Sequence, residues 1–262
     1  METLKVESDD RGVVTVILNR AEVHNPFNAK MIEELSNTFE SLDNDDDCRV
    51  VVLTGAGKSF SAGADINWMR DMRLASEEEN RVDSLQLARL LRAINFVSKP
   101  VIARVNGHAF GGGVGLISCC DIAIGATHAK FGLTEVKLGL LPAVISPYVV
   151  RAIGARQARR LFLTAELFDA ATALDIGLLH QCCDLEHLDD TVNAQVDLLL
   201  GNGPNAVATA KTLVPLVSGF DADKQLEIDQ ATAALIAAIR VSPEGQEGLS
   251  AFLDKRKPSW AS

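Results

Sequence analysis

Residues 100–135, PVIARVNGHAFGGGVGLISCCDIAIGATHAKFGLTE, set the terms on which the rest of the chain must fold. The stretch opens on an apolar, β-branched run (Val101, Ile102, Val105), the pattern of a buried strand. Gly111, Gly112 and Gly113 follow, and then an apolar segment, 114–120, suited to a buried helix. A glycine run between strand and helix strips away Cβ atoms. Backbone N–H groups can then approach a bound atom closely, with the positive end of the helix dipole behind them. The spacing is not GxGxxG with an acidic residue about twenty positions on, so a dinucleotide fingerprint fits poorly. The structural alternative for the triple glycine is tight helix packing; a second glycine loop upstream weighs against that reading.

That second loop is residues 58–66, KSFSAGADI, which follows a predicted strand at 50–53 and leads into a polar helical stretch, 67–96. Ser61, Ala62, Gly63 and Ala64 leave its backbone as bare as the triple glycine does. Two bare loops, each after a strand, can bring two N–H groups to one point. That arrangement suits an oxyanion hole, which stabilises charge building on a carbonyl oxygen.

Around these loops the pattern is α/β. A strand at 13–19 precedes a helix that starts at Asn25-Pro26, with apolar spacing at Met31, Ile32, Leu35, Phe39 and Leu42. The acidic run 43–47 reads as a solvated turn, not a metal site. Strand, glycine loop and helix recur at 50–96 and 100–120, which predicts repeated ββα units stacked into a spiral. From about 147 helices dominate, at 148–153, 155–164, 169–176, 187–200, 204–217, 221–240 and 243–253. Asp169 and Asp221 are the expected N-caps, and Gly154 and Gly177 the expected stops. The division expected is a spiral core over 1–200 and a helical region over 201–262 that covers the core or exchanges between subunits.

With 262 residues, 47% of them hydrophobic and 5% aromatic, the chain can bury one large, mainly aliphatic core. A formal net charge of −10 leaves no basic stripe for phosphate neutralisation, which argues against nucleic acid as the main partner. A phosphate-bearing small molecule needs only a few local cations and stays open. There is no charged-then-apolar leader pattern, and no apolar run approaches about 18 residues, so a cytoplasmic protein without a membrane role is expected. The five cysteines, Cys48, Cys119-Cys120 and Cys182-Cys183, include no CxxC and read as reduced, packed thiols with no metal bound.

Several motifs together resemble the enoyl-CoA hydratase/isomerase (crotonase) superfamily: 60–66 (FSAGADI), 109–113 (AFGGG), 120–123 (CDIA), 131–135 (FGLTE) with Gly139, Leu140 and Pro142, and the tail 251–257 (AFLDKRK). They run in order along the whole chain. Within the superfamily, 142–150 and 240–248 look most like bacterial methylglutaconyl-CoA and isohexenylglutaconyl-CoA hydratases. The resemblance implies a crotonase-like spiral with a helical C-terminal region used for trimerisation and cover, assembled as trimers or dimers of trimers. It implies an acyl-CoA substrate whose thioester oxygen is held by the N–H groups of Ala64 and Gly112. Coenzyme A is part of that substrate, and no other cofactor is implied. Ala62, Asp65 and Ile66 fall on the segment that meets the adenine end of CoA. Phe252 and Lys255 resemble C-terminal residues that reach CoA, and Lys58 is a phosphate candidate. For both lysines the plain alternative is a solvated surface charge.

Acid–base chemistry is where the chain departs from the two-glutamate pattern. The position two residues after the triple glycine is Gly115, so only Glu135 remains. A carboxyl beside apolar segments has its pKa raised by desolvation, toward general acid–base use. One glutamate can deliver water's oxygen to the β-carbon and return its proton to the α-carbon on the same face. The missing partner fits a substrate that brings its own carboxylate, as a glutaconyl group does, because neighbouring anions repel. His108 reads as a packed histidine bonded to backbone and Asp121 as a turn anchor, while Ser146 and Tyr148 are pocket-lining candidates. The leading function is hydration of a branched, carboxylated enoyl-CoA. The alternatives are Δ3-Δ2-enoyl-CoA isomerisation with Glu135 as sole base, and non-catalytic acyl-CoA binding.

Overall fold

The computed structural model describes residues 1–261. An antiparallel hairpin, β1 (Leu4–Ser8) and β2 (Val13–Leu18), leads to α1 (Ala29–Asp43), capped by the Asn28 side chain accepting from Met31 N. The helix thus starts later than the Asn25-Pro26 signal suggests. Asn25 is occupied elsewhere: its side-chain amide donates to Ala56 O and Ser59 O, tying 25–27 to the glycine loop.

Strand pairs then recur. β3 (Val50–Gly55) and β4 (Ser59–Ser61) are followed by α2 (Ile66–Leu74) and α3 (Glu77–Phe96). β5 (Val101–Val105) and β6 (His108–Phe110) are followed by α4 (Gly112–Cys119), and β7 (Ile122–Ala126) and β8 (Lys130–Gly132) by α5 (Ser146–Thr164). The first strand of each pair joins a six-stranded sheet, β1-β2-β3-β5-β7-β10, and the second a four-stranded sheet, β4-β6-β8-β9. The remaining strands are β9 (Leu167–Asp169), preceding α6 (Ala170–Asp175), and β10 (Gln181–Cys183). Each ββα unit therefore adds one parallel strand to each sheet, the spiral that the recurring pattern predicts.

The run at 67–96 is two helices, not one. Ser76 Oγ accepts from Glu79 N and Glu79 Oε2 accepts from Ser76 N, a capping box that starts α3 afresh. Gly154, with non-helical backbone (φ 74°, ψ 153°), divides α5 into two helical segments across a kink, the stop expected between 148–153 and 155–164.

β3 is buried along its whole length, as strands covered on both faces must be. Val51, Leu53, Val101 and Val105 pack toward Leu35, Phe39 and Leu91. Val50, Val52 and Ile102 meet Leu188, Val192 and Val196 of α7 (Leu188–Leu200) on the other side. After α8 (Pro204–Val217), α9 (Ala222–Val241) lies along α3, and α10 (Pro243–Leu253) folds back onto α2 and the short 3-10 turn Glu135–Leu138. Among the described residues no helix is long and apolar enough to cross a membrane.

Candidate active site

The two bare loops and the FGLTE segment converge on one cavity of about 510 Å³, lined by Ala62, Gly63, Ala64, Gly111, Gly112 and Glu135. Local folding explains how the two backbone N–H groups come to be free. Phe27 N donates to Gly63 O (2.6 Å) and Phe27 O accepts from Asp65 N (2.8 Å), forming a one-residue parallel bridge with Ala64. In such a bridge the bonds come from the flanking residues, which turns Ala64's own N–H away from Phe27. Gly112 is the first residue of α4, where a helix leaves its N–H without an intrahelical acceptor. Neither amide has a hydrogen-bond acceptor among the described residues.

Glu135 enters from β8 at the start of the 3-10 turn. A Cβ placed on Gly111 would lie 3.1 Å from Glu135 Oε1, and Gly111 has φ +49°. Only glycine takes that left-handed turn freely while leaving the carboxylate its room. Oε2 is sealed from solvent and has no hydrogen-bond partner among the described residues. Desolvation by burial pushes the carboxyl up to about 7, against a weaker opposing bond from its own backbone N–H. A group held near neutrality with unused lone pairs can accept and return a proton.

At Gly115, the position of the absent second glutamate, a Cβ would fall 2.4 Å from Ile145 Cγ2. Ile145 itself lines the cavity. The space a second carboxylate needs is thus filled by an aliphatic side chain from the segment before α5.

The other residues singled out in the sequence divide. Phe252 of α10 joins Ala62 at the cavity. Lys58, Ile66 and Lys255 are exposed and outside its lining. Asp65 faces the protein: it caps α2 through Asn67 N and Trp68 N and pairs with Arg20 (2.8 Å). Burial opposes its ionisation, but the bonds from Arg20 and the two amides together hold its carboxyl below the usual range. His108 Nδ1 accepts from Lys130 N, and Asp121 Oδ2 accepts from Val101 N and Lys211 Nζ, anchoring roles in both cases. Ser146 and Tyr148 do not line the cavity. Tyr148 is buried in the core with the Arg151 guanidinium 4.8 Å from its ring, and its neighbours Ala143, Val144 and Ile145 take the lining place.

An ionic cluster at the cavity wall escaped the sequence reading. Arg240, in the last turn of α9, lines the cavity beside Trp68. Asp83 of α3 accepts from Trp68 Nε1 at 3.0 Å and lies 3.5 Å from Arg240 Nη1. Burial pushes the Asp83 carboxyl up and the Arg240 guanidinium down, each countered in part by the other. Its trace in the sequence is Arg240 itself, which opens the 240–248 segment singled out above and stands one helical turn after Ile236, another lining residue.

Comparison with known proteins decides the family. The model for enoyl-CoA hydratase/isomerase matches residues 8–262. The chain belongs to that family. It is 33% identical over 263 residues to a crotonyl-CoA hydratase of Syntrophomonas wolfei, covering 100% of this chain and 98% of that relative. A short-chain-enoyl-CoA hydratase of Clostridium acetobutylicum is 34% identical over 263 residues, with 98% and 97% covered. The crystal structure of an enoyl-CoA hydratase from Shewanella pealeana matches with a TM-score of 0.80 at 45% identity, over 98% of this chain and 96% of that one. These whole-chain matches make the stacked ββα spiral the crotonase fold.

Proposed function

We propose that this enoyl-CoA hydratase adds water across the α,β double bond of a branched, carboxylated acyl-CoA of the glutaconyl type, such as methylglutaconyl-CoA or isohexenylglutaconyl-CoA. The observation that carries the reading is the Glu135 carboxyl, its buried Oε2 without a partner, in the same cavity as two uncommitted amides, Ala64 N and Gly112 N. The thioester oxygen accepts from both amides. As water adds to the β-carbon, negative charge moves onto that oxygen, and each fixed donor contributes about 3–4 kcal/mol to the transition state. Ionised Glu135 takes the proton from water as its oxygen bonds to the β-carbon, then gives it to the α-carbon on the same face. Coenzyme A enters as part of the substrate, with Ala62 and Phe252 on its path and Lys58, Ile66, Lys255 and the backbone of Asp65 at its nucleotide end, the Asp65 carboxylate staying with Arg20 and the start of α2. No separate cofactor takes part.

Support for a carboxylated acyl group comes from Gly115 and Ile145: where a second acid is lacking, the substrate's own anion meets less repulsion. The S. wolfei and C. acetobutylicum relatives are named for crotonyl-CoA and short-chain enoyl-CoA, so a turnover panel is the discriminating test. Hydration of 3-methylglutaconyl-CoA at a kcat/KM at least tenfold above that of crotonyl-CoA is expected; a clear preference for crotonyl-CoA contradicts the substrate assignment. One observation favours a second reading. With Ile145 in the second acid's place, no side chain there holds water, and a Δ3-Δ2-enoyl-CoA isomerase needs only one base.

Self-assembly into trimers or dimers of trimers belongs to the same proposal, with 1–200 as the spiral core and 201–262 as its cover and contact region. Support comes from α8, which buries none of its residues and exposes Leu213, Val214, Leu216 and Val217.

A further inference from the structure

Arg240 stands out among the groups lining the cavity. The wall around it is apolar, with Met72 of α2, Leu87 of α3 and Ile236 of α9, and its side chain is only 16% exposed. A guanidinium so placed is costly unless its donors are used. Yet every hydrogen bond it makes within the protein leaves from Nη1, and all are long: 3.2 Å to Asn80 Oδ1, 3.4 Å to Ser84 Oγ and 3.5 Å to Asp83 Oδ2. Nε and Nη2 donate to nothing among the described residues. Those two nitrogens form the edge of the guanidinium whose parallel N–H bonds match the two oxygens of a carboxylate. Asp83 neither takes that edge nor sits close, because its Oδ1 is held by Trp68 Nε1.

We propose that Arg240 receives a carboxylate on the substrate's acyl group through Nε and Nη2, and so sets selectivity for carboxylated over plain acyl chains. The inference rests on the cavity being the acyl-CoA site. Asp83, Asn80 and Ser84 hold the guanidinium from behind, and Asp83 supplies a counter-charge while the site is empty. The phosphates of CoA are the other anions within chemical reach. They are bulkier and heavily hydrated, and a side chain buried among Trp68, Leu87 and Ile236 suits the acyl end of the ligand better.

The test uses two saturated thioesters that cannot be hydrated, glutaryl-CoA and butyryl-CoA, as competitive inhibitors of crotonyl-CoA hydration. They share the whole CoA moiety, and only glutaryl-CoA ends in a carboxylate. Wild type should bind glutaryl-CoA the more tightly. Arg240→Met should reduce that preference roughly 10- to 100-fold, the range for a lost charge-assisted bond pair, with Arg240→Lys in between. Equal weakening of both inhibitors points to a phosphate contact or a structural role and overturns the proposal. A wild-type preference that survives in Arg240→Met also overturns it, while leaving the carboxylated-substrate reading intact. No preference in wild type removes both, and crotonyl-CoA hydration still stands as evidence for the oxyanion site. Should Arg240→Met fail to fold, Asp83→Asn serves: it keeps an acceptor for Trp68 and removes the competing charge. Its preference for glutaryl-CoA should rise severalfold; an unchanged or lower preference counts against Arg240 as the receptor.

Discussion

Replacing Glu135 with Gln removes a buried ionisable group and a proton carrier in one step, with opposite consequences for stability and rate. Burial keeps the carboxyl's proton on up to about 7, against an ordinary value of 4.5. Below about pH 4.5 the group is neutral in folded and unfolded chains alike, so its ionisation does not affect folding. Between 4.5 and 7 the folded protein retains a proton that the unfolded chain releases, and stability falls as pH rises. Above 7 both forms are ionised and the full cost of the buried anion is present. At about 1.4 kcal/mol per pH unit, that interval amounts to roughly 3 kcal/mol. E135Q should therefore melt close to wild type at pH 4.5 and higher at pH 8, by about 2–4 °C for each kcal/mol gained. Hydration should meanwhile drop by about 10²–10⁴, the usual contribution of a positioned acid–base group. Thermal melts of both proteins at half-unit steps from pH 4.5 to 8.5, with turnover on the same samples, give the two readouts. An E135Q gain that does not grow with pH, a loss of stability at pH 8, or undiminished turnover would each refute the reasoning.

The same carboxyl predicts that log kcat/KM for hydration falls with unit slope as pH drops below about 7 and is level above it; a flat profile from pH 5 to 8 excludes Glu135 as the ionised base. Gly115→Glu should destabilise by about 1–3 kcal/mol or more through overpacking against Ile145, and adding Ile145→Ala should recover much of the loss; urea titrations that find Gly115→Glu as stable as wild type refute the filled-site account. Gly111→Ala carries a cost of about 1–3 kcal/mol for a side chain at φ 49°, ψ −117°, and sets a methyl beside Glu135 Oε1; kcat should fall at least tenfold with KM within threefold, and unaltered kcat argues against this tight fit. Charged substitutions on α8, Val214→Asp with Val217→Asp, should shift the sedimentation coefficient toward a monomer, and an unmoved boundary removes α8 from the interface.

What the sequence displayed most openly were features with local causes. Gly111–Gly113 after a β-branched run, and the bare 61–64 loop, are backbone signatures, and Gly111 and Gly112 of the one and Ala62, Gly63 and Ala64 of the other line the cavity. The recurring strand–loop–helix rhythm predicted the spiral for the same reason. The α2–α3 break was written in a local code too: Ser76 and Glu79 have capping-box spacing, but the polar periodicity across 67–96 hid it. The N-terminal shift of α1 was not local, since Asn25 is held by acceptors at 56 and 59. Ile145, Trp68, Asp83 and Arg240 lie on four separate segments whose meeting depends on how α5, α2, α3 and α9 pack. No spacing rule joins them. The place of Tyr148 in the chain makes it a pocket-lining candidate, but its helix turns it into the core.

Hydration of 3-methylglutaconyl-CoA by the wild-type protein in ¹⁸O-labelled heavy water follows the oxygen and the proton together. The account predicts one ¹⁸O at the β-carbon and one deuteron at the α-carbon, added to the same face, with both signals lost in Glu135→Gln. Deuterium exchange at the α-carbon without oxygen uptake, or addition to opposite faces, contradicts a single glutamate working beneath a thioester held at Ala64 and Gly112.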